Sequence, residues 1–306
     1  MSDEPLPPPP TSTVEVCYRH PSVQTRVHCT RCGRPICPDC MIPAPVGHQC
    51  PVCVEEARRE FRGGSGRGLR TGGITATKAL LFAIAVPFVL EVALGGPGAF
   101  VEAPSTGRLV DMGALQPLLI AHGQYWRLFT AMFLHAGLFH IAFNAYALWL
   151  FGMFVEFSFG RTRFLLIYFV SGFLASVASF VWGSPGAVGV GASGAIFGIF
   201  GAFIAYNYRR RHLAMASANL RWAIMLLLLN AFLAFSFRAI DWRAHLGGLV
   251  AGVLAGLVAE GVGAGRQRQL VRVAGFVALI GLGAVLVVWR TEQLRASAFY
   301  QAVFGG

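Results

Sequence analysis

The amino-acid sequence predicts an all-α polytopic membrane protein preceded by a small zinc-bound domain. Three observations lead to this fold class. Of the 306 residues, 55% are hydrophobic and only 13% are charged, whereas about a quarter of an average soluble domain is charged. Apolar blocks follow one another from about Lys78 to Arg290. All seven cysteines lie between Cys17 and Cys53, in a polar N-terminal region.

Composition divides the chain into five segments. The opening MSDEPLPPPP has neither the basic start nor the apolar stretch of a signal peptide, so we expect the N-terminus to stay in the cytosol. The basic, glycine-rich linker suits an anionic membrane surface. The predicted segments are a disordered proline-rich tail (1–14), a zinc-finger head (15–57), the linker (58–77), a membrane core (78–262), and a seventh transmembrane helix with an external tail (263–306).

The head contains four pairs of metal-ligand residues, each pair separated by two residues. This spacing lets both side chains of a pair reach one tetrahedral Zn²⁺, and eight ligands suffice for two ions. His48 is a rival ligand for the second site and His28 a weaker rival. Small heads interleave their pairs, which predicts two ligand sets: Cys17, His20, Cys37 and Cys40 for the first zinc, and Cys29, Cys32, Cys50 and Cys53 for the second.

A disulfide framework is the alternative interpretation of the head. Its seven cysteines are an odd number, and a cytosolic location disfavours disulfides. A head of this size buries too little core to fold alone, so we expect the metals to be structural. Both ligand sets are closed, which argues against metal catalysis. The head resembles a B-box-type zinc finger, and we expect it to bind a cytosolic protein or to regulate the membrane domain.

Seven membrane spans are predicted from apolar runs of roughly 20 residues. Arginines concentrate in the second, fourth and sixth connections, which places the N-terminus inside and the C-terminus outside. This placement explains the net charge of +11 better than nucleic-acid binding does. Lys78 is the only lysine, and such arginine-rich composition suggests a bacterial genome rich in GC. The spans lie near 78–98, 138–157, 163–182, 192–208, 221–237, 244–262 and 271–289.

The first outer connection, 99–137, is long and contains GQYWRLFTAMFLHAGLFH. This run is too apolar for a solvated loop. We expect it to lie partly in the membrane interface, anchored by Tyr125 and Trp126. Two acidic residues fall inside predicted spans, Glu91 and Glu156, and we expect them to pair or to snorkel, with no catalytic role.

Four polar residues lie near the outer beginnings of spans two, four and six. Ionisable groups in a bilayer are costly and are functional candidates by default. His140 and Asn144 are four residues apart and share a helix face. Ser193 lies in GASG, and His245 opens the sixth span. Because these three spans run in the same direction, we expect the four side chains to share one depth.

Glycines on the fourth and sixth spans suggest how these helices meet. Gly194 and Gly198 lie on one side of the fourth span, and Gly248, Gly252 and Gly256 repeat every four residues on the sixth. Small residues at this spacing permit close backbone approach between membrane helices. If the two faces meet, Ser193 meets His245 at the distance that a nucleophile and its base require.

At this point the sequence resembles the rhomboid intramembrane serine proteases over about residues 76–262. The resemblance rests on WR (126–127), HIAFN (140–144), GASG (191–194) and AHLGGLVAG (244–252). It implies a six-helix core, to which the seventh span and the head are additions. It also implies Ser193 as nucleophile and His245 as base. His140 and Asn144 would donate to the oxyanion, with no cofactor for catalysis.

The resemblance also implies supporting roles for neighbouring residues, namely Trp126, Arg127, Gly191, Gly194, Phe197, Gly248 and Gly252. Phe197 takes a position where many relatives carry tyrosine. Asp241 lies four residues before His245, and it either orients the imidazole as a third member or caps the sixth helix.

The favoured function is cleavage of transmembrane proteins near their outer ends within the bilayer. The alternatives are an inactive relative acting as a binding or quality-control factor, a transporter, and a zinc-head ubiquitin ligase. Inactive relatives typically lose the serine or the histidine. A transporter requires polar sites near the membrane midplane, and a ligase leaves Ser193 and His245 unexplained.

Overall fold

The computed structural model describes residues 15–44, 47–56, 74–95, 104–236 and 240–305. These fall into two compact units, residues 1–71 and 72–306, which are described separately. The predicted proline-rich tail and most of the linker lie outside the described residues. So do the outer end of the first predicted span and residue 237 of the fifth.

The head is built from two short hairpins. Strand β1 (Glu15–Val16) pairs antiparallel with β2 (Gln24–Thr25), and β3 (Ile42–Pro43) pairs antiparallel with β4 (His48–Gln49). A 3₁₀ turn at Pro38–Cys40 lies between the hairpins, and residues 51–56 are helical. Strands of two residues cannot stabilise a domain by themselves. The hairpins serve to hold the cysteine pairs in place.

The second unit is mostly helical in its described part, as the sequence predicts, with one isolated β-bridge between Leu115 and Gly189. Its helices are α1 (Ala76–Gly95), α2 (Thr106–Asp111), α3 (Pro117–Ala121), α4 (Arg127–Thr130), α5 (Leu138–Phe159), α6 (Arg161–Trp182), α7 (Ser193–Arg209), α8 (Ala214–Ser236), α9 (Trp242–Glu260), α10 (Gly265–Arg295) and α11 (Ala298–Phe304). A 3₁₀ turn, Ala131–Phe133, precedes α5.

Six of the helices in the described part are long and apolar enough to cross a membrane: α1, α5, α6, α8, α9 and α10. The fourth predicted span is α7, which has only 17 residues and is therefore about 26 Å long. That length is slightly less than a hydrocarbon core of roughly 30 Å.

Helix α6 is the centre of the bundle, since 78% of its apolar window is buried. Helix α9 packs against α6 and α7, and α5 packs against α7 and α1. Helix α10 lies against α6 and α9. Because α8 is the least covered of the six, with 11% of its window buried, it faces outward. The helices α6, α7 and α9 therefore form the rigid frame on which the candidate site is built.

The long first connection is folded onto the bundle rather than solvated, as its composition predicts. Arg127 is only 5% exposed. Its guanidinium donates to Val110 O at 2.5 Å, Ala114 O at 3.0 Å and Gln124 Oε1 at 2.6 Å. Its charge also lies 4.7 Å from the centre of the Trp126 ring. One buried arginine thus holds α2, α3 and α4 together.

The two acidic residues inside the spans accept backbone N–H groups. Glu91 is fully buried and accepts the backbone N–H of His135 at 3.0 Å. Glu156 accepts the N–H groups of Ala76 and Thr77 at 2.7 and 2.8 Å, together with the Thr77 hydroxyl. Snorkelling is wrong for the fully buried Glu91. In both residues the carboxylate satisfies backbone donors of a segment far away in sequence.

Candidate active site

Ser193 and His245 lie in contact. Ser193 is the first residue of α7, and His245 lies in the first turn of α9. His245 Nε2 is 2.9 Å from Ser193 Oγ. The Phe197 ring stacks on the imidazole with a centroid separation of 4.3 Å and an interplanar angle of 17°. This distance allows the imidazole to take the serine proton directly.

The approach of α7 and α9 depends on glycine. A Cβ atom at Gly248 would overlap the carbonyl oxygen of Gly194, and one at Gly252 would overlap that of Gly198. One turn further, a Cβ at Gly256 would lie 2.9 Å from the Cα of Ala202. Three successive turns of α9 are therefore in backbone contact with α7. The Ser193–His245 distance is a consequence of this interface.

Asp241 fixes the beginning of α9. One of its carboxylate oxygens accepts the N–H groups of Arg243 and Ala244 at 3.1 and 3.3 Å, as a helix N-cap does. The other oxygen accepts the Ser179 hydroxyl of α6. Both oxygens are engaged in holding α9 against α6. The geometry therefore favours a helix-capping role for Asp241 over a role as the third member of a catalytic triad.

His140 lies across from Ser193 on α5. The backbone N–H of Ala136 donates to His140 Nδ1 at 3.2 Å. In the neutral ring the proton is then on Nε2. A Cβ at Gly191 would lie 2.7 Å from His140 Nε2 and 3.7 Å from Ser193 Oγ. The histidine donor and the serine oxygen thus face the same small space, which only glycine leaves open.

Gly191 has a second reason to be glycine, because its φ of +123° is rarely adopted by other residues. Its N–H donates to Ala131 O at 2.8 Å, which ties this turn to the folded first connection. Asn144 is buried on α5, one turn after His140, and donates to His140 O at 2.9 Å. One amide hydrogen is used in that bond, and the second is left for another acceptor.

Sequence reasoning missed His135. This side chain is fully buried, and its ring centre lies 5.3 Å from that of His140. Neither ring nitrogen has a partner among the described residues. Burial, together with the neighbouring His140 ring, lowers the pKa of His135 to about 3, so the ring is neutral at physiological pH. The available signal was a second histidine five residues before His140, in the connection that we expected to lie partly in the membrane interface.

The head brings together the two ligand sets that the spacing predicts. Cys17, His20, Cys37 and Cys40 form one group and Cys29, Cys32, Cys50 and Cys53 the other, with the ligand atoms of each group within 4.8 Å of one another. The two rival histidines lie elsewhere: His28 pairs with Glu15, and His48 is in neither group. The groups are closed sets of four soft ligands, as structural metal sites are.

The spacing of the sulfur atoms fits a zinc ion. A Zn–S bond of about 2.3 Å places two sulfurs of a tetrahedron about 3.8 Å apart, and Cys32 Sγ and Cys50 Sγ are 3.8 Å apart. Burial acts to raise the pKa of the Cys17 and Cys29 thiols, but backbone N–H donors outweigh it and lower both to about 6. Burial raises the pKa of Cys53 to about 12.

Comparison with known proteins assigns the membrane unit. The rhomboid domain model matches residues 122–260. GluP of Bacillus subtilis, named a rhomboid protease, is 43% identical over 49% of this chain and 29% of its own length. YdcA of the same organism, whose name assigns it provisionally to the rhomboid proteases, is 38% identical over 44% of this chain and 67% of its own. The chain belongs to the rhomboid family.

Membership confirms the resemblance drawn from the motifs, for the membrane unit. Another relative, RHOMBOID-like protein 1 of Arabidopsis thaliana, is 38% identical over 51% of this chain and 40% of its own length. The chain therefore spans between about three tenths and two thirds of these relatives. Relatives named as proteases support a hydrolase role. The family match begins after the head, so the likeness of the head to a B-box stays a prediction, as does a bacterial origin.

Proposed function

We propose that the protein is an intramembrane serine endopeptidase that cleaves transmembrane segments near their outer ends with a Ser193–His245 dyad. The observation that carries the proposal is the 2.9 Å separation of Ser193 Oγ and His245 Nε2. A serine hydroxyl is a weak nucleophile until a base accepts its proton. Relatives named as proteases supply independent support.

In this mechanism Ser193 Oγ attacks the carbonyl carbon of the scissile peptide bond while His245 Nε2 accepts the hydroxyl proton. The imidazolium then gives that proton to the leaving amine, and an acyl-enzyme remains. A water molecule, deprotonated by His245, attacks the ester and releases the acid product. Phe197 holds the imidazole ring in plane beside Ser193 during both proton transfers.

The negative charge on the tetrahedral intermediate develops beside Gly191. His140 Nε2–H, the free amide hydrogen of Asn144 and the Ser193 backbone N–H are the proposed donors. Each donor is worth about 3–4 kcal/mol in comparable sites. The bond from Ala136 to His140 Nδ1 supports this role, since it keeps the donating proton on Nε2.

The test is labelling of the full-length protein with a fluorophosphonate probe, together with cleavage of a transmembrane substrate. Ser193→Ala should remove labelling, and Ser193→Ala and His245→Ala should each lower cleavage by about 10³-fold or more. Ser184→Ala, on the loop before Gly191, is the matched serine control and should behave as wild type. Unchanged labelling of Ser193→Ala would contradict the proposal, and the inactive binding factor would then be favoured.

We further propose that the N-terminus is cytosolic and the C-terminus external, as the arginine distribution indicates. Ala302→Cys places a thiol on the exposed part of α11. An impermeant maleimide should label Ala302→Cys in intact cells, whereas the head cysteines of the wild type should react only after lysis in the presence of a chelator. Protection of Ala302→Cys in intact cells would show that the seven-span count is wrong, and labelling of the head cysteines in intact cells would reverse the orientation.

A further inference from the structure

A cavity of about 300 Å³ lies at the end of the membrane unit opposite the dyad. It is formed where the beginnings of α6 and α10 meet the ends of α5, α7 and α9. Since α7 runs from Ser193 to Arg209, this end is about 24 Å from the dyad. Five arginines and one carboxylate, Glu260, line the cavity. The arginines are Arg163, Arg209, Arg210, Arg268 and Arg272.

Two of these arginines already have an anionic partner. Glu260 binds Arg209 Nε at 2.7 Å and Arg210 Nη1 at 2.5 Å. The Glu260 side chain is only 12% exposed. Arg210 also lies 3.6 Å above the centre of the Tyr206 ring, which fixes its plane. Both carboxylate oxygens of Glu260 are therefore already bound, one by Arg209 and one by Arg210.

The other three arginines contact only neutral carbonyl groups among the described residues. Arg268 Nε donates to Gly263 O at 2.8 Å, and Arg272 donates to Glu260 O at 2.9 Å. Arg163 reaches Ala259 O at 3.5 Å. The Nε of Arg272 is buried without a partner in the described part of the chain. Guanidinium donors thus remain, and their charge is not neutralised.

The net positive charge of this cavity favours an anion. Five guanidinium groups face one carboxylate, and three helix ends against two helix beginnings add only a small negative partial charge. Like charges gathered beside a low-dielectric bundle repel each other more strongly than in water. The planar fork of arginine matches the oxygens of a phosphate group bidentately.

We propose that this cavity binds a phosphate-bearing anion, which would clamp α6, α7, α9 and α10 together. The headgroup of an anionic phospholipid and a soluble phosphate compound share this chemistry. The inference does not depend on the proposed protease activity, because its measurement is binding.

The experiment measures thermal stabilisation of the full-length protein in neutral detergent at constant ionic strength. The probes are dihexanoyl phosphatidylglycerol, dihexanoyl phosphatidylcholine and inorganic phosphate. We expect saturable stabilisation by the anionic lipid and none by phosphatidylcholine, whose phosphate is neutralised by choline. Full stabilisation by inorganic phosphate alone would identify a soluble phosphate as the source. The absence of saturable binding of both phosphatidylglycerol and phosphate would overturn the proposal.

A pair of matched double variants tests the location. Arg163→Gln/Arg268→Gln removes two charges from the cavity, and the apparent Kd should rise about tenfold. Arg161→Gln/Arg266→Gln removes two charges from the same two helices outside the cavity and should change it less than about twofold. If both double variants weaken anion binding equally, the anion is attracted by the overall positive charge and not bound in the cavity. That result would overturn the proposed site. If the first variant does not fold, Arg268→Lys should still weaken binding, since the charge remains but the fork is lost.

Discussion

The head and the membrane unit are stabilised by different means. In the described part of the head, the buried apolar residues are six cysteines and Ile36, so its core consists almost entirely of candidate metal ligands. The membrane unit is built around large side chains, such as Phe164, Ile167 and Tyr168, each fully buried in one extended cluster. Between α7 and α9, by contrast, glycines without side chains let the two helix backbones come into contact.

This difference determines what each unit tolerates. A core of metal ligands is lost in one step when the metal is removed, because little hydrophobic burial remains. A close-packed interface fails when atoms are added, since neighbouring helices cannot move apart without losing their other contacts. The head should therefore respond to chelation, and the membrane unit to added volume.

The largest effect is expected from Gly252→Leu. A Cβ at this position overlaps the backbone of Gly198, and the bulk would push α9 away from α7. Displacement of His245 by about 1 Å costs about 10²-fold in rate, so we expect cleavage to fall by at least that factor. The control is Gly281→Leu on α10, where a Cβ meets nothing within 4 Å. Equal loss of cleavage in both variants would show that the glycine interface is not the cause.

Metal removal should unfold the head and leave the membrane unit unaffected. A chelator should increase hydrogen exchange over residues 15–56 while the thermal stability and cleavage activity of the membrane unit stay within about twofold, since the dyad uses no metal ligand. Metal analysis should give two zinc ions per full-length chain, based on four ligands per closed site. Loss of activity on chelation would show that the head is part of the enzyme.

Single substitutions sharpen the metal prediction. Cys17→Ser and Cys29→Ser should each remove one of the two zinc ions, since the two residues belong to different groups. Because each closed group depends on all four ligands, the remaining ion should stay bound by the other group. Loss of both ions from either variant would mean that the groups are not independent.

The sequence predicted the parts of the site that follow from regular geometry. Residues four apart share a helix face, which placed His140 with Asn144 and aligned Gly248 with Gly252. Fixed spacing likewise predicted the four ligand pairs of the head, and the expected interleaving of pairs predicted the two groups. These rules are local, and they hold wherever a helix or a cysteine pair forms. The assignment of catalytic roles to the assembled residues stays a prediction.

The sequence did not predict features that depend on the first connection. Arg127 and His135 lie in a segment without a long regular helix, so periodicity carried no information on their burial. The partners of Glu91 and Glu156 are backbone N–H groups, which every residue except proline carries and which no sequence pattern marks. Contacts of this kind become visible only once the fold is known.

Glu156 offers a smaller test of how the membrane unit is held. Its carboxylate accepts three donors at the beginning of α1. Glu156→Gln keeps the shape but removes the charge and one acceptor, and it should lower the free energy of unfolding by about 1–3 kcal/mol. Glu292→Gln changes an exposed carboxylate on α10 and should cost less than about 0.5 kcal/mol. Equal thermal stability of the two variants would mean that the α1 contact contributes little.

The smallest effect is expected at Phe197, whose ring stacks on His245 at 4.3 Å. Aromatic stacking is worth about 0.5–1.5 kcal/mol beyond the burial of area. Phe197→Leu keeps an apolar side chain but removes the stacking. We therefore expect kcat for the proposed cleavage to fall between about twofold and tenfold. Phe197→Tyr keeps the ring and should stay within about twofold of the wild type. If kcat falls as far in Phe197→Tyr as in Phe197→Leu, an aromatic ring against the imidazole is not what matters. The position would then require the volume of phenylalanine itself.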